Sequence, residues 1–170
     1  MNKVKSIDEV AKLVKNARSE GKRVGLITGC FDVLHLGHIR LFRFAKREVD
    51  ILVVGLENDK SIGLTKGKAR PVHSLKQRLE VLSDLSSVDW IFPIEELIKF
   101  NEPEKASGVY RRIYRKVMPN FVITNKEADQ FWKEKKLDAK TIGIKLLLDK
   151  QEEFTSSTAA LQKLERKVEK

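Results

Sequence analysis

Two of the three histidines in this 170-residue chain, His35 and His38, follow closely behind a glycine turn. The segment reads Thr28-Gly29-Cys30-Phe31-Asp32-Val33-Leu34-His35-Leu36-Gly37-His38. At this spacing both side chains share one face of the first turn of a helix, where free backbone N–H groups and the helix dipole favour an anion. Gly29 and Gly37 let a ligand approach the backbone without a Cβ in the way. The pattern therefore favours binding of a polyphosphate.

Taken alone, the two histidines are equally compatible with a metal site or with polar residues at a helix end. No third carboxylate or histidine follows at helical spacing, so a zinc site is poorly supported and no metal ligand is predicted. A dinucleotide-binding G-x-G-x-x-G does not occur. The segment 63–68 has the wrong spacing for a P-loop and lacks the Ser or Thr that would bind magnesium.

The elements that position this motif alternate along the chain. Helices are predicted at residues 6–20, 38–47, from 74 onward, 104–117, 125–136 and 156–168, and strands at 23–28, 50–55, 88–93, 121–124 and 142–148. Capping boxes mark the first helix, at Ser6 and Glu9, and the third, at Ser74 and Gln77. Asn125 is expected to cap the fifth helix, and residues 57–73 to form a long loop. The alternation predicts an α/β fold with a doubly wound, mainly parallel sheet.

Length and composition limit the class of protein. With 41% hydrophobic residues, the chain suits a single domain over residues 1–170. The net charge of +10 favours anionic partners. A single cysteine, Cys30, excludes an intramolecular disulfide framework and fits a cytoplasmic location. Neither a secretory signal nor a membrane-spanning run is recognisable, so no membrane partner is expected.

The motif resembles the H-x-G-H signature of the cytidylyltransferase-like nucleotidyltransferases, in the form His35-Leu36-Gly37-His38. Similarity over about residues 5–95, including Leu64-Thr65-Lys66-Gly67-Lys68-Ala69-Arg70-Pro71-Val72 and Gln77-Arg78-Leu79-Glu80-Val81-Leu82, is strongest to heptose 1-phosphate adenylyltransferases. Near the end, Glu153-Phe154-Thr155-Ser156-Ser157-Thr158 resembles the family's E-G-x-S-T-T element. The resemblance implies a Rossmann-like nucleotidyltransferase fold.

The same resemblance implies a reaction and a set of roles. A phosphate oxygen of the acceptor would attack the α-phosphorus of a nucleoside triphosphate, and pyrophosphate would leave. His35, His38 and Lys66 would be catalytic, and Mg²⁺ would neutralise the triphosphate. The residues expected to bind nucleotide are Gly29, Cys30, Phe31, Gly37, Arg78, Ser156 and Ser157. Asp32 and Thr124 would bind the second substrate, although Asp32 could instead hold the turn through backbone N–H groups.

Two departures from the family's pattern affect the substrates. Thr124 and Asn125 stand where heptose adenylyltransferases carry lysine and glycine, so the acceptor is expected to differ or to be bound differently. Phe154 replaces a glycine. The segment 151–154 lacks the arginine of glycerol-3-phosphate cytidylyltransferases, which favours ATP over CTP.

The leading hypothesis is adenylyl transfer from ATP to a sugar phosphate. Cytidylyl transfer to glycerol phosphate or to a phosphorylated amino alcohol is the alternative within the family. A domain that senses nucleotide without turnover is a further alternative. The sequence does not decide the oligomeric state, and a homodimer is one option. A nucleic-acid binder would use a basic stripe formed by Arg111, Arg112, Arg115 and Lys116 with Tyr110 and Tyr114, but a solvated helix face explains that stripe better.

Overall fold

A computed structural model describes residues 2–150 and contains six helices and five strands within them. The helices are α1 (Ile7–Ser19), α2 (Leu36–Glu48), α3 (Asp59–Lys66), α4 (Leu75–Ser83), α5 (Pro103–Val117) and α6 (Trp132–Thr141). The strands are β1 (Val24–Gly29), β2 (Ile51–Glu57), β3 (Trp90–Ile94), β4 (Phe121–Asn125) and β5 (Lys145–Asp149). They form one parallel sheet in the order β3-β2-β1-β4-β5, which confirms the doubly wound α/β prediction.

Two capping boxes start their helices where the sequence predicted them. The Ser6 hydroxyl accepts from the Glu9 N–H at 3.2 Å, and a Glu9 carboxylate oxygen accepts from the Ser6 N–H at 2.8 Å. Ser74 and Gln77 make the same exchange at the start of α4. Each pair satisfies backbone N–H groups that a helix's first turn leaves without a partner, so local sequence is enough to define these two starts.

Helices cover both faces of the sheet. On one face α1, α5 and α6 pack a core that includes Val14, Ile113 and Ala139. On the other, α2 and α4 pack a core that includes Phe42 and Leu82. Because both faces are covered, the central strands are apolar on both sides.

Helix α5 has a buried face that the sequence did not reveal. Tyr110 and Tyr114 belong to the core, whereas a nucleic-acid stripe would need exposed aromatic rings. Three basic side chains of this helix pair with protein carboxylates: Arg111 with Asp138, Arg112 with Glu96 and Lys116 with Asp8. These contacts leave the nucleic-acid alternative without support.

The expectation of a long loop over residues 57–73 was wrong, because α3 lies inside it. The Asn58 side chain caps this helix by accepting from the Ser61 N–H at 2.9 Å, and its amide donates to carbonyl groups at and beyond the end of β3. Among the apolar residues of α3, Ile62 alone is buried. One buried position gives no helical periodicity, which is why the sequence pattern missed the helix.

The expected helix cap at Asn125 was also wrong. Its side-chain oxygen accepts from the Glu127 and Ala128 N–H groups at 2.9 Å, which closes a turn, and α6 begins only at Trp132. Asparagine side chains often bond the backbone two residues on in this way. The predicted closing helix at 156–168 lies outside the described residues.

A crevice opens where β1 and β4 separate. Strands β1 and β2 stay paired as far as Gly29 and Leu56, whereas β1 and β4 pair only at Gly25 with Phe121 and at Leu26 with Val122. The chain order reverses direction across the sheet at this point, and ligands of open α/β sheets bind at such a position, outside the carboxyl ends of the strands. Within residues 2–150, no helix has the length and apolar character needed to cross a membrane.

Candidate active site

The crevice between β1 and β4 opens into a cleft of about 480 Å³. Its walls come from the ends of β1, β2 and β4, from α2 and α3, from α5 with the segment before it, and from α6 with the turn before it. Eight predicted site residues line it: Lys66 and, besides it, Gly29, Cys30, Phe31, His35, Gly37, His38 and Thr124. The fold therefore brings together the histidine motif, the lysine and the end of β4, which are distant in sequence.

The two histidines stand at the N-terminus of α2. Their rings are stacked, with centroids 3.8 Å apart and an angle of 28° between the planes. Phe31 takes a left-handed conformation, with φ of 44°, and packs edge-on against His38 with ring centroids 5.1 Å apart. A Cβ on Gly29 would lie 3.1 Å from the Phe31 ring, a tight contact that only a shift of the ring would relieve. The turn fixes the position of the His38 ring.

Both imidazoles are held neutral. Burial, together with the neighbouring His35 and Lys66, lowers the pKa of His38 to about 3, and burial is the largest of these causes. Burial also lowers the pKa of His35, with a second contribution from the charge of Lys66. The Nδ1 atom of His38 is buried and has no hydrogen-bond partner among residues 2–150. A neutral imidazole can both donate and accept a hydrogen bond, so the pair can contact phosphate oxygens without adding charge.

Lys66 is the last residue of α3 and faces the histidine turn. Its Nζ lies 3.1 Å from the Cys30 Sγ, and its side chain is exposed. The helix therefore fixes the backbone of a residue that was expected on a loop. A lysine here gives the cleft a cation beside two neutral histidines, which suits a polyphosphate.

Arg78 does not line the cleft and is only 1% exposed. Its guanidinium donates to the carbonyl oxygens of Cys30, Glu57 and His73 and to the Asp59 carboxylate. Four of its five N–H donors are thereby used inside the protein. Arg78 thus links the ends of β1 and β2 to α4. Its contact with phosphate stays a prediction, and these internal hydrogen bonds do not favour it.

Asp32 likewise holds a segment of the protein. One carboxylate oxygen accepts from the His73 N–H at 2.9 Å, and the other lies 2.6 Å from the Arg70 Nε. Asp32 is buried and absent from the cleft lining. These contacts match the alternative in which it holds the turn, while its contact with substrate stays a prediction.

A buried polar network closes the end of the cleft near α6. The Thr124 hydroxyl donates to Asp129 Oδ2 at 2.6 Å, and the Lys135 Nζ lies 2.7 Å from the same oxygen. Close by, the Tyr110 hydroxyl donates to Glu57 Oε1 at 3.0 Å, and the Lys135 ammonium lies 5.5 Å from the centre of the Tyr110 ring. These side chains come from β2, β4, α5, α6 and the turn before α6, and the network forms only in the folded chain.

Burial and charge act differently on the two carboxyl groups of this network. Burial raises the pKa of Glu57, although Lys135 and the Tyr110 hydroxyl oppose the change. Burial would also raise the pKa of Asp129, but Lys135, Thr124 and the Phe131 N–H outweigh it and hold that pKa below its ordinary value. Asp129 is therefore ionised and paired, whereas Glu57 retains its proton more readily than an exposed glutamate.

Sequence reasoning missed several residues of this cleft, among them Glu57, Phe100, Tyr110, Asp129 and Lys135. Glu57 carried a signal, because a charged residue directly after an apolar strand lies at the edge where parallel sheets bind ligands. Lys135 carried none, since it is one of several lysines in α6. Ser156 and Ser157 lie outside the described residues.

Among residues 2–150, no three His, Cys, Asp or Glu side chains are grouped as a metal site requires. Magnesium often keeps several waters and binds mainly to substrate phosphates. The open cleft, with a cation and two neutral histidines, is compatible with magnesium that is carried by a triphosphate.

The chain is similar in sequence to a known protein family. The model of the family described as cytidylyltransferase-like matches residues 26–163. The Bifunctional protein HldE of Hydrogenovibrio crunogenus is 48% identical over 91 residues, which cover 54% of this chain and 19% of that protein. The Bifunctional protein HldE of Shewanella baltica is 36% identical over 120 residues, covering 71% and 23%. The chain spans about a fifth of the length of these relatives.

Solved structures share the fold at low sequence identity. The lipopolysaccharide core biosynthesis protein from Thermoplasma volcanium superposes with a TM-score of 0.62 at 23% identity, over 78% of this chain and 100% of that chain. Pantoate-beta-alanine ligase from Francisella tularensis superposes with a TM-score of 0.63 at 18% identity, over 88% of this chain and 68% of that one. At these identities the likeness shows a common fold.

Proposed function

The chain belongs to the cytidylyltransferase-like family, and from that membership we propose that it transfers AMP from ATP to a phosphorylated small molecule. A sugar phosphate is the first candidate for the acceptor. The observation that carries the proposal is the stacked, neutral pair His35 and His38, which shares a cleft with Lys66 at the point where β1 and β4 separate. These are the groups that a phosphoryl-transfer site needs to hold and polarise a triphosphate.

In the proposed reaction, an oxygen of the acceptor phosphate attacks the α-phosphorus of ATP. A new P–O bond forms, the bond between the α-phosphorus and the bridging oxygen breaks, and pyrophosphate leaves with that electron pair. No covalent bond to the protein is needed, because catalysis comes from positioning and charge stabilisation. His35 and His38 hydrogen-bond the phosphate oxygens as negative charge shifts towards the leaving group, and Lys66 offsets that charge.

The turn Gly29–Phe31 and Gly37 hold the backbone close to the nucleotide in this proposal. We assign no protein ligand to magnesium. Magnesium bound to the triphosphate supplies further charge neutralisation. Ser156 and Ser157 are proposed to add hydroxyl groups and backbone N–H groups to the phosphate site. We place the reaction in the cytoplasm, where ATP is available and Cys30 stays reduced.

Two sequence features favour ATP over CTP. The segment Leu64–Val72 resembles heptose 1-phosphate adenylyltransferases, and residues 151–154 lack the arginine found in the glycerol-3-phosphate cytidylyltransferase group. The relatives at 48% and 36% identity carry the name Bifunctional protein HldE, which is compatible with this choice over the region that they share with the chain.

The test is a matrix of the four nucleoside triphosphates against heptose 1-phosphate, glycerol 3-phosphate and phosphoethanolamine, each with magnesium, read as pyrophosphate released. We expect ATP with a sugar phosphate to give the highest kcat/KM. Preference for CTP with either of the other acceptors would replace the proposal by cytidylyl transfer. Binding of nucleotide without pyrophosphate release in any combination would favour a sensing domain.

A further inference from the structure

Glu57 and Lys135 both contact Tyr110 at the α6 end of the cleft, Glu57 through the Tyr110 hydroxyl and Lys135 over its ring, and neither belongs to the phosphate-binding group. We propose that they form a subsite that binds two neighbouring hydroxyl groups of a sugar. The inference deepens the proposed function and rests on it, since the sugar is part of one of the two substrates. The residues come from β2 and α6, which only the fold brings together.

Lys135 has donors to offer. Its side chain is buried, with 7% of the residue exposed, and it lines the cleft. Among residues 2–150, the structure gives its ammonium one hydrogen-bond partner, Asp129 at 2.7 Å. An ammonium has three N–H donors, so two lack an acceptor in the part of the chain that the structure describes. Leaving them unmet in a buried place is costly, and a ligand in the cleft can satisfy them.

Asp129 holds that ammonium in place and has little capacity left for a ligand. Its Oδ2 accepts from the Thr124 hydroxyl as well as from Lys135, and its Oδ1 accepts from the Phe131 N–H at 3.0 Å. Asp129 is therefore a positioning residue in this subsite. It keeps Lys135 at the end of β4, next to the side chain of Thr124.

Glu57 supplies the acceptor. Within residues 2–150, its side chain has one hydrogen bond, from the Tyr110 hydroxyl to Oε1. Glu57 is buried, yet it lines the cleft. A hydroxyl group can therefore donate to this carboxyl, while the lone pairs of a neighbouring hydroxyl accept from Lys135.

The hydrogen-bonding groups of the subsite suit a hydroxyl group. An ionised phosphate only accepts hydrogen bonds and an ammonium group only donates them, so neither satisfies Glu57 and Lys135 together. A hydroxyl group is both donor and acceptor and matches both sides. Phe100 and Phe131, stacked with centroids 4.8 Å apart, add an apolar wall to the cleft against which the C–H groups of a sugar can lie.

Either the ribose of ATP or the acceptor's sugar can supply these hydroxyl groups, and two arms of one experiment separate them. The nucleotide arm measures Kd by calorimetry for ATP, 2′-deoxy-ATP and 3′-deoxy-ATP with magnesium. The acceptor arm measures kcat/KM for heptose 1-phosphate and for methyl phosphate, which keeps the phosphate and lacks the hydroxyl groups. Both arms use the wild type, Glu57→Gln and Lys135→Met. Lys136→Met and Glu95→Gln, which change exposed residues of the same types, are the controls.

We expect one arm to show that the wild type loses about tenfold or more when the hydroxyl groups are removed, as for hydrogen bonds to charged groups. In Lys135→Met and Glu57→Gln that loss should shrink several-fold, while the controls match the wild type. Thermal unfolding of each variant establishes whether it is folded. If Lys135→Met does not fold, Lys135→Arg, which keeps the charge and the donors, is measured in its place. If Lys135→Met and Glu57→Gln distinguish the ligands with and without hydroxyl groups as well as the wild type does in both arms, the subsite is overturned and the proposed function stands. Failure of the wild type to bind ATP or release pyrophosphate overturns the proposed function and the subsite together.

Discussion

Thr124 and Lys135 bind the same carboxylate oxygen of Asp129, at 2.6 and 2.7 Å. The sequence places a threonine where the similar heptose adenylyltransferases carry a lysine on the strand. In the folded chain, α6 places Lys135 against the same Asp129 oxygen that Thr124 contacts. The end of β4 thus has a cation beside it, although its own sequence supplies none.

The first prediction concerns Asp129→Asn. Removing this charge leaves the buried Lys135 ammonium without an ionised partner, so we expect the free energy of unfolding at pH 7 to fall by about 3 kcal/mol. Chemical denaturation measures it, with the exposed Asp84→Asn as the control. Because the pKa of Asp129 lies below its ordinary 3.8 in the fold, its contribution is complete above that pH and is lost as the pH falls through the lowered value. A variant as stable as the wild type at pH 7 would contradict the pairing.

His38→Ala is expected to lower kcat by about a hundredfold, the scale for removing one preorganised donor from a transition state. His73→Ala is the control, since His73 is exposed and its hydrogen bonds with Asp32 and Arg78 are made by its backbone. Pyrophosphate release under saturating substrates measures the effect. Wild-type turnover in a folded His38→Ala protein would remove His38 from the mechanism.

The neutral state of His38 has a consequence for stability against pH. Its pKa is about 3 in the fold, so between pH 6.5 and 3 the unfolded chain binds a proton there that the folded chain does not. The wild type should therefore lose stability relative to His38→Gln as the pH falls through this range, at up to about 1.4 kcal/mol per pH unit. Urea unfolding of both proteins at several pH values measures the difference. Parallel curves would show that His38 titrates normally.

Lys66→Met is expected to reduce kcat/KM by about tenfold or more without loss of stability, because its side chain is exposed and its charge faces the phosphate site. Lys68→Met, two residues away and also exposed, is the matched control. Since the charge of Lys66 contributes to the lowered pKa of His35, that pKa should rise in Lys66→Met. NMR titration reads this change without turnover, and an unchanged His35 would place Lys66 farther from the site.

Arg78→Met separates a structural role from a phosphate contact. Three carbonyl oxygens and the Asp59 carboxylate lose a donor, so the free energy of unfolding should fall by about 3 kcal/mol or more. Lys76→Met, an exposed residue of the same helix, should stay within about 0.5 kcal/mol of the wild type. Unchanged stability with weaker ATP binding would instead support the predicted phosphate contact.

Local chemistry made much of the fold predictable. The capping boxes at Ser6 and Ser74 define helix starts because the partners are three residues apart in the chain. The apolar strands indicated a parallel sheet covered on both faces. The sequence pattern did not predict helix α3, because this helix depends on the Asn58 cap and on the hydrogen bonds from the Asn58 amide to carbonyl groups at and after the end of β3.

The same distinction holds for the site. The sequence by itself determined the histidine turn, since Gly29 and Phe31 lie close before His35 and His38 in the chain and the spacing of the two histidines predicts that they share a face. Only the tertiary structure decided that Lys135, rather than another lysine of α6, reaches the cleft, and that Arg78 is used inside the protein. Charged side chains look alike in a sequence, because their role depends on burial and on partners that the folding of distant segments supplies.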